Sequence, residues 1–267
     1  MTPTDNAHTM IELNIHGSVA TVTLNRPPAN AFSRDGLLQL RDTVRQLEAN
    51  PAVRALVITG QGPKFFSAGA DLHTFASGDK AAALDMISAF GQAFETLANT
   101  PLVTVAALNG YAMGGGLECA LACDIRIAEA HAQMALPEAG VGLLPGGTGT
   151  QTLAWLVGEG WAKRMVLTGE RVDAATALRI GLVEEVVPGE AGQGLALAKA
   201  LEIAQRVGKQ SPDSVRACKQ LIHAARNGVP RGAALAQERE AFVELFNGAN
   251  QREGVNAFLE KRAPTWQ

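Results

Sequence analysis

Cysteine is scarce in this chain. Only Cys119, Cys123 and Cys218 occur, and an odd count with no paired framework suits a reducing compartment. Cys119 and Cys123 stand four apart, on one face of a predicted helix. No histidine sits at ligand spacing beside them, so core packing is expected there and no metal. The five histidines are scattered, and none pairs with a Ser or Cys in a nucleophile motif. Basic charge is not in excess either. Lys and Arg number 23 against 26 Asp and Glu, a net charge of −3, which argues against a nucleic-acid partner. No apolar run reaches transmembrane length, so no membrane partner is expected. The stretch Met1–Asn6 has no basic region leading into an apolar one and no Arg. We therefore expect neither a secretory signal nor a transit peptide, and a cytoplasmic location. Apolar residues make up 47% of the 267 and charged residues 18%, the composition of a globular chain with a large core.

The most informative stretch runs from Ala106 to Pro145. It begins in a short apolar run, Leu102–Leu108, of the length of a buried strand. Asn109-Gly110 signals a turn, Gly114-Gly115-Gly116 follow, and a helical pattern runs from Leu117 to Cys123. A Gly-rich turn that opens a helix leaves amide N–H groups unpaired at the positive end of the dipole. Such an end can hold an anion, or a carbonyl oxygen becoming one. Neither G-x-G-x-x-G nor a P-loop is present, which sets a dinucleotide site aside. Glu118 lies in the first turn of that helix among apolar neighbours, and its place near a helix N-terminus favours its ionised form. Glu138 follows in Leu136-Pro137-Glu138, twenty residues on, with a strand-like run, Asp124–Ala128, between. A second small-residue stretch, Phe65-Phe66-Ser67-Ala68-Gly69-Ala70-Asp71-Leu72, either lets a ligand approach the backbone or is a strand-to-helix turn capped by Asp71.

Strand and helix patterns alternate over the first two-thirds. Ile11, Leu13 and Ile15 alternate ahead of a His16-Gly17-Ser18 turn, and Val19–Leu24 completes a hairpin. Ser33 caps a helix from about Asp35 to Glu48, and Ala55–Thr59 reads as a buried parallel strand. Asp79–Ala98 is helical. Beyond Pro145, helices are predicted over Gln151–Val157 and Trp161–Leu167, and Asp173 caps another. From Glu190 on everything is helical: Ala191–Val207, Ser211–Arg226, Gly232–Phe246 and Gln251–Arg262. The expectation is an α/β core over residues 1–190, built of right-handed β-α-β units, and an all-helical region over 191–267. That region packs on the core and on neighbouring subunits.

The string Asn109 to Glu118 with Cys123-Asp124 downstream resembles the signature of the enoyl-CoA hydratase/isomerase (crotonase) family. So does Leu136-Pro137-Glu138 running into Gly142-Leu143-Leu144-Pro145-Gly146-Gly147. The resemblance extends over roughly Met10 to Arg262. It implies a crotonase-like spiral of β-β-α units and an acyl-CoA thioester substrate, with no separate cofactor. It implies an oxyanion hole made by the amides of Ala68 and Gly115, each worth about 3–4 kcal/mol to an enolate-like oxygen. Gly69, Ala70, Asp71, Leu72 and Gly114 would border the CoA ester. Glu118 would activate water for attack at Cβ, and Glu138 would deliver a proton to Cα. In the tail Ala257–Arg262, Phe258 and Lys261 match residues that reach the CoA nucleotide, often that of a neighbouring subunit. A homotrimer or pair of trimers is implied. A basic residue common after the Thr-Gln step is Thr152 here. A carboxylate at position 118 favours 2-enoyl-CoA hydration over Δ3,Δ2-isomerisation or other enolate chemistry. Some members of the family bind RNA, but the acidic balance of this chain speaks against that.

Overall fold

The computed structural model describes residues 10–267. The Met1–Asn6 stretch, read above for targeting signals, lies outside them. Ten strands and nine α-helices alternate among the described residues. A hairpin of β1 (Ile11–His16) and β2 (Val19–Leu24) leads into α1 (Arg34–Glu48). The Ser33 side chain accepts from the Gly36 amide and caps α1. Three similar units follow. β3 (Ala55–Gly60) and β4 (Phe65–Ser67) precede α2 (Lys80–Asn99). β5 (Val103–Leu108) and β6 (Tyr111–Met113) precede α3 (Gly115–Leu121). β7 (Ile125–Glu129) and β8 (Gln133–Ala135) precede α4 (Gly149–Thr168). The first strand of each unit joins a six-stranded sheet of order β1-β2-β3-β5-β7-β10, and the second joins a four-stranded sheet of order β4-β6-β8-β9. Within each sheet these neighbours are parallel, so the chain climbs as a spiral of β-β-α turns. β9 (Val172–Asp173), α5 (Ala174–Ile180) and β10 (Glu185–Val187) close it.

The large sheet is covered on both sides, which is why β3 is buried along its whole length. Alternate residues take opposite faces: Leu56, Ile58, Ala106 and Leu108 enter the main core, while Ala55, Val57, Val105 and Ala107 meet a second layer. That layer is α6 (Leu195–Val207), which presents Ala196, Ala200 and Ala204 at four-residue spacing and so lies close to the strands. The hairpin is less buried than its alternation suggests. Ile11 reaches the core, but Leu13 and Ile15 stay exposed, because β1 is the outer strand and the core ends before them. Two helix expectations also shift. α4 holds the two predicted helices, joined across a non-helical kink at Gly158, and extends them to Gly149 and Thr168. The helix predicted from Ala191 begins only at Leu195, because Gly192 and Gly194 hold left-handed φ values of 90° and 68°.

α7 (Pro212–Arg226), α8 (Arg231–Glu244) and α9 (Ala249–Leu259) form the remainder. Lys219 ties α7 to the core, with Nζ 2.7 Å from both the Leu102 carbonyl and the Asp124 carboxylate. α8 buries no residue, and Phe242, Val243, Phe246, Phe258 and Leu259 stand exposed along this region. Among the described residues no helix is long and apolar enough to cross a membrane. Cys119 and Cys123 are buried core thiols.

Candidate active site

β4, β6 and β8 are parallel neighbours, so their C-terminal ends open on one edge of the small sheet. Each delivers one part of the site there: the Ser67–Asp71 loop, the Gly114–Gly115 turn, and Pro137-Glu138. The carboxyl edge of parallel strands is where α/β folds place their ligands. The roots of the first two parts are locked together by Asn109. Its Oδ1 accepts from the Gly60 amide (3.0 Å) and its Nδ2 donates to the Gly60 carbonyl (2.8 Å).

In the Ser67–Asp71 loop nearly every amide is occupied. Ala68 N–H donates to the Ala29 carbonyl at 2.9 Å. Gly69 N–H donates to Ser67 Oγ, which in turn donates to the Asn30 carbonyl. Asp71 N–H donates to the Phe32 carbonyl, while the Phe32 amide donates to Gly69. That bridge turns the Ala70 amide the other way, and it donates to no protein acceptor among the described residues. The expectation that Ala68 supplies an oxyanion donor is therefore corrected: its N–H is spent inside the loop, and the free amide is two residues on, at Ala70. Gly115, at the first position of α3, has the other free N–H. The two amides face each other closely: a Cβ built on Gly115 would lie 3.7 Å from Ala70 N, and one on Gly69 would lie 2.9 Å from Gly115 N. Gly69 has φ 89° and Gly114 φ 54°. A side chain on Gly114 would also strike Glu138 Oε1, its Cβ only 2.8 Å away, so both turns require glycine.

Glu118 is 3% exposed. Its Oε1 accepts from the amides of Gly147 and Gly149, both at 2.8 Å, while Oε2 accepts no hydrogen bond among the described residues. Burial pushes its pKa up to about 7; the nearby Glu138 charge adds to this, and the Gly149 and Gly147 amides oppose it. The expectation is that a place near a helix N-terminus favours the ionised form; burial outweighs the Gly149 and Gly147 amides that do so here. Glu138 opens a short 3-10 turn, Glu138–Val141. Its Oε2 is buried without a partner among the described residues, and burial raises it above the usual carboxylate range.

Both carboxylates line one cavity of about 880 Å³, together with Ala68, Ala70, Leu72, Gly114 and Gly115. Gly69 and Asp71 lie behind it. Asp71 caps the turn Leu72–Phe75 by accepting from the His73 amide, and it pairs with Arg26 at 2.7 Å, which lowers its pKa below the ordinary value. Phe258 and Lys261 are far along the tail, exposed, and do not line this cavity. The Gly147 and Gly149 amides and the apolar wall of Leu84, Ile87, Leu143 and Leu144 were not anticipated. The Gly146–Gly149 run was the one visible signal for the former.

Two free amides and two buried carboxylates thus meet at one cavity, and such groups can polarise a carbonyl and move protons at carbons beside it. A family model described as enoyl-CoA hydratase/isomerase matches residues 14–267. The short-chain-enoyl-CoA hydratase of Clostridium acetobutylicum is 39% identical over 94% of each chain. The 2,3-dehydroadipyl-CoA hydratase of Escherichia coli is 40% identical over 93% of this chain and 95% of that one. The solved structure of Pseudomonas aeruginosa DspI superposes with a TM-score of 0.93 and 58% identity, covering 100% of this chain and 99% of that chain. The chain belongs to the enoyl-CoA hydratase/isomerase family.

Proposed function

We propose that this protein is an enoyl-CoA hydratase, adding water across trans-2-enoyl-CoA to give 3-hydroxyacyl-CoA. The observation that carries the reading is the meeting, in one cavity, of Glu118, Glu138 and the free amides of Ala70 and Gly115. The thioester oxygen sits between the two amides, where the charge that develops on it is stabilised. Ionised Glu118 takes a proton from water through Oε2, and the oxygen of that water bonds to Cβ. Protonated Glu138 gives its proton to Cα as the enolate collapses. Glu118 then holds the proton taken from water, Glu138 is left ionised, and exchange with solvent resets the pair. The coenzyme A enters as part of the substrate, and no further cofactor or metal takes part in these steps.

The test is the loss of absorbance of the conjugated enoyl thioester with crotonyl-CoA. The wild type is expected to hydrate it, and Glu118→Gln and Glu138→Gln each to lose about 10²–10⁴-fold. A wild type inert to 2-enoyl-CoAs that converts a 3-enoyl-CoA would make the protein an isomerase.

The same reading gives residues 191–267 a role in assembly. Phe242, Val243, Phe246, Phe258 and Leu259 offer an uncovered apolar surface for a homotrimer or pair of trimers, and Phe258 and Lys261 meet the CoA of a neighbouring subunit in it. The site of action is the cytoplasm. Light scattering that finds a stable monomer would remove both the assembly and the role of Lys261.

A further inference from the structure

The wall of the active-site cavity is unusual in what it omits. Apart from Glu118 and Glu138, every residue lining it is Gly, Ala, Val, Leu, Ile, Phe or Pro. No cation, amide or hydroxyl side chain stands there. Arg26, which holds the neighbouring loop, is already paired with Asp71, and His73 and Lys80 sit on adjoining elements without lining the cavity. The large apolar side chains are left uncovered: Leu72, Leu84, Val141 and Leu144 are each more than half exposed, and Ile87 and Leu143 more than a third. Six such side chains around one cavity of about 880 Å³ are an apolar surface without an occupant from this chain.

We infer that the acyl group is a neutral aliphatic chain longer than four carbons, and that a terminal carboxylate is rejected. This rests on the reading of the cavity as an acyl-CoA site. A crotonyl group places one carbon beyond the reacting Cβ and leaves most of this wall uncovered. A longer chain is laid against Leu84 and Ile87 of α2 on one side and Leu143 and Leu144 on the other. A second carboxylate at the end of the chain would be desolvated there with no partner, and the two glutamates would add like charge. Similarity to a relative named for a dicarboxylic substrate therefore does not carry that substrate here.

The experiment measures kcat/KM for four-, six- and eight-carbon trans-2-enoyl-CoAs and for 2,3-dehydroadipyl-CoA. In parallel, Kd is measured by calorimetry for hexanoyl-CoA and adipyl-CoA, a readout that needs no turnover. We expect kcat/KM to rise about fourfold per added methylene, and dehydroadipyl-CoA to fall about 100-fold below the six-carbon enoyl-CoA. Adipyl-CoA should bind correspondingly more weakly than hexanoyl-CoA. Leu84→Lys, at an exposed position, should narrow the gap at least tenfold by supplying the missing cation. A flat or falling series from four to eight carbons overturns the inference, and so does adipyl-CoA binding within tenfold of hexanoyl-CoA. A Leu84→Lys variant with an unchanged ratio removes Leu84 from the tail site. If no enoyl-CoA reacts yet hexanoyl-CoA binds far better than adipyl-CoA, the hydratase reading fails while this inference stands.

Discussion

The two ends of the cavity hold their carboxylates differently. Glu118 rests in a built cradle, one oxygen fixed by two amides and the other left for the reaction. Glu138 projects from a single 3-10 turn, with one buried oxygen that nothing in the protein engages. Burial raises the pKa of both; the Gly149 and Gly147 amides pull Glu118 back, while only its own backbone amide does so for Glu138. A carboxylate that must act ionised needs such donors, whereas one that must carry a proton does better without them. The proposed mechanism uses this contrast, with Glu118 in its two-amide cradle as the base and Glu138 as the acid.

The contrast can be broken from the Glu118 side. A Cβ on Gly149 would lie 2.8 Å from Glu118 Oε1. Gly149→Ala should therefore displace the carboxylate and lower kcat/KM by roughly 10-fold or more. It also pushes the carboxylate off the residue-149 amide, which favours the ionised form, so the acid limb of the pH–rate profile should move to higher pH. In the wild type that limb should fall near pH 7, with activity lost as Glu118 is protonated. An unshifted profile for Gly149→Ala would mean that the cradle does not tune the base.

Stability offers the next test. Glu118 ordinarily titrates near 4.5 and here near 7, so the folded state holds its proton more tightly than the unfolded one. Stability from that proton is fully present below pH 4.5 and lost as pH rises to about 7, a change of up to about 3 kcal/mol. Glu118→Gln should match the wild type in denaturant stability at pH 4 and exceed it at pH 8. Equal stabilities at both would show that Glu118 is not desolvated. The smallest effect expected is that of Ser67→Ala. It frees the Asn30 carbonyl and the Gly69 amide and should cost about 1–3 kcal/mol of stability. It should also lower kcat more than it changes KM, because the turn that aims Ala70 loosens.

Much of the fold could be read from local pattern. β3 is apolar throughout because both of its faces are covered, and Ser33, Asp79 and Asp173 cap the helices that follow them. The turn of the Gly114 to Glu118 motif and the loop around Ala68 do lie side by side in the fold. Which amide of that loop is free was not legible. Three successive residues look alike in sequence, and the choice is made by distant acceptors, the carbonyls of Ala29 and Phe32. The cradle of Glu118 was hidden for the same reason: Gly147 and Gly149 lie about thirty residues from it and carry no side chain to announce the contact. Burial of Leu13 and Ile15 failed because alternation reports a face and not its covering.

The division of labour between the two glutamates is tested most directly by proton exchange at Cα. Butyryl-CoA is incubated in D₂O with each variant, and deuterium at Cα is followed by NMR. This exchange needs the polarising amides and a group that moves a proton at Cα, but no water-activating base. Glu118→Gln should keep the exchange while losing hydration, and Glu138→Gln should lose both. Exchange that survives in Glu138→Gln and vanishes in Glu118→Gln would contradict the assignment.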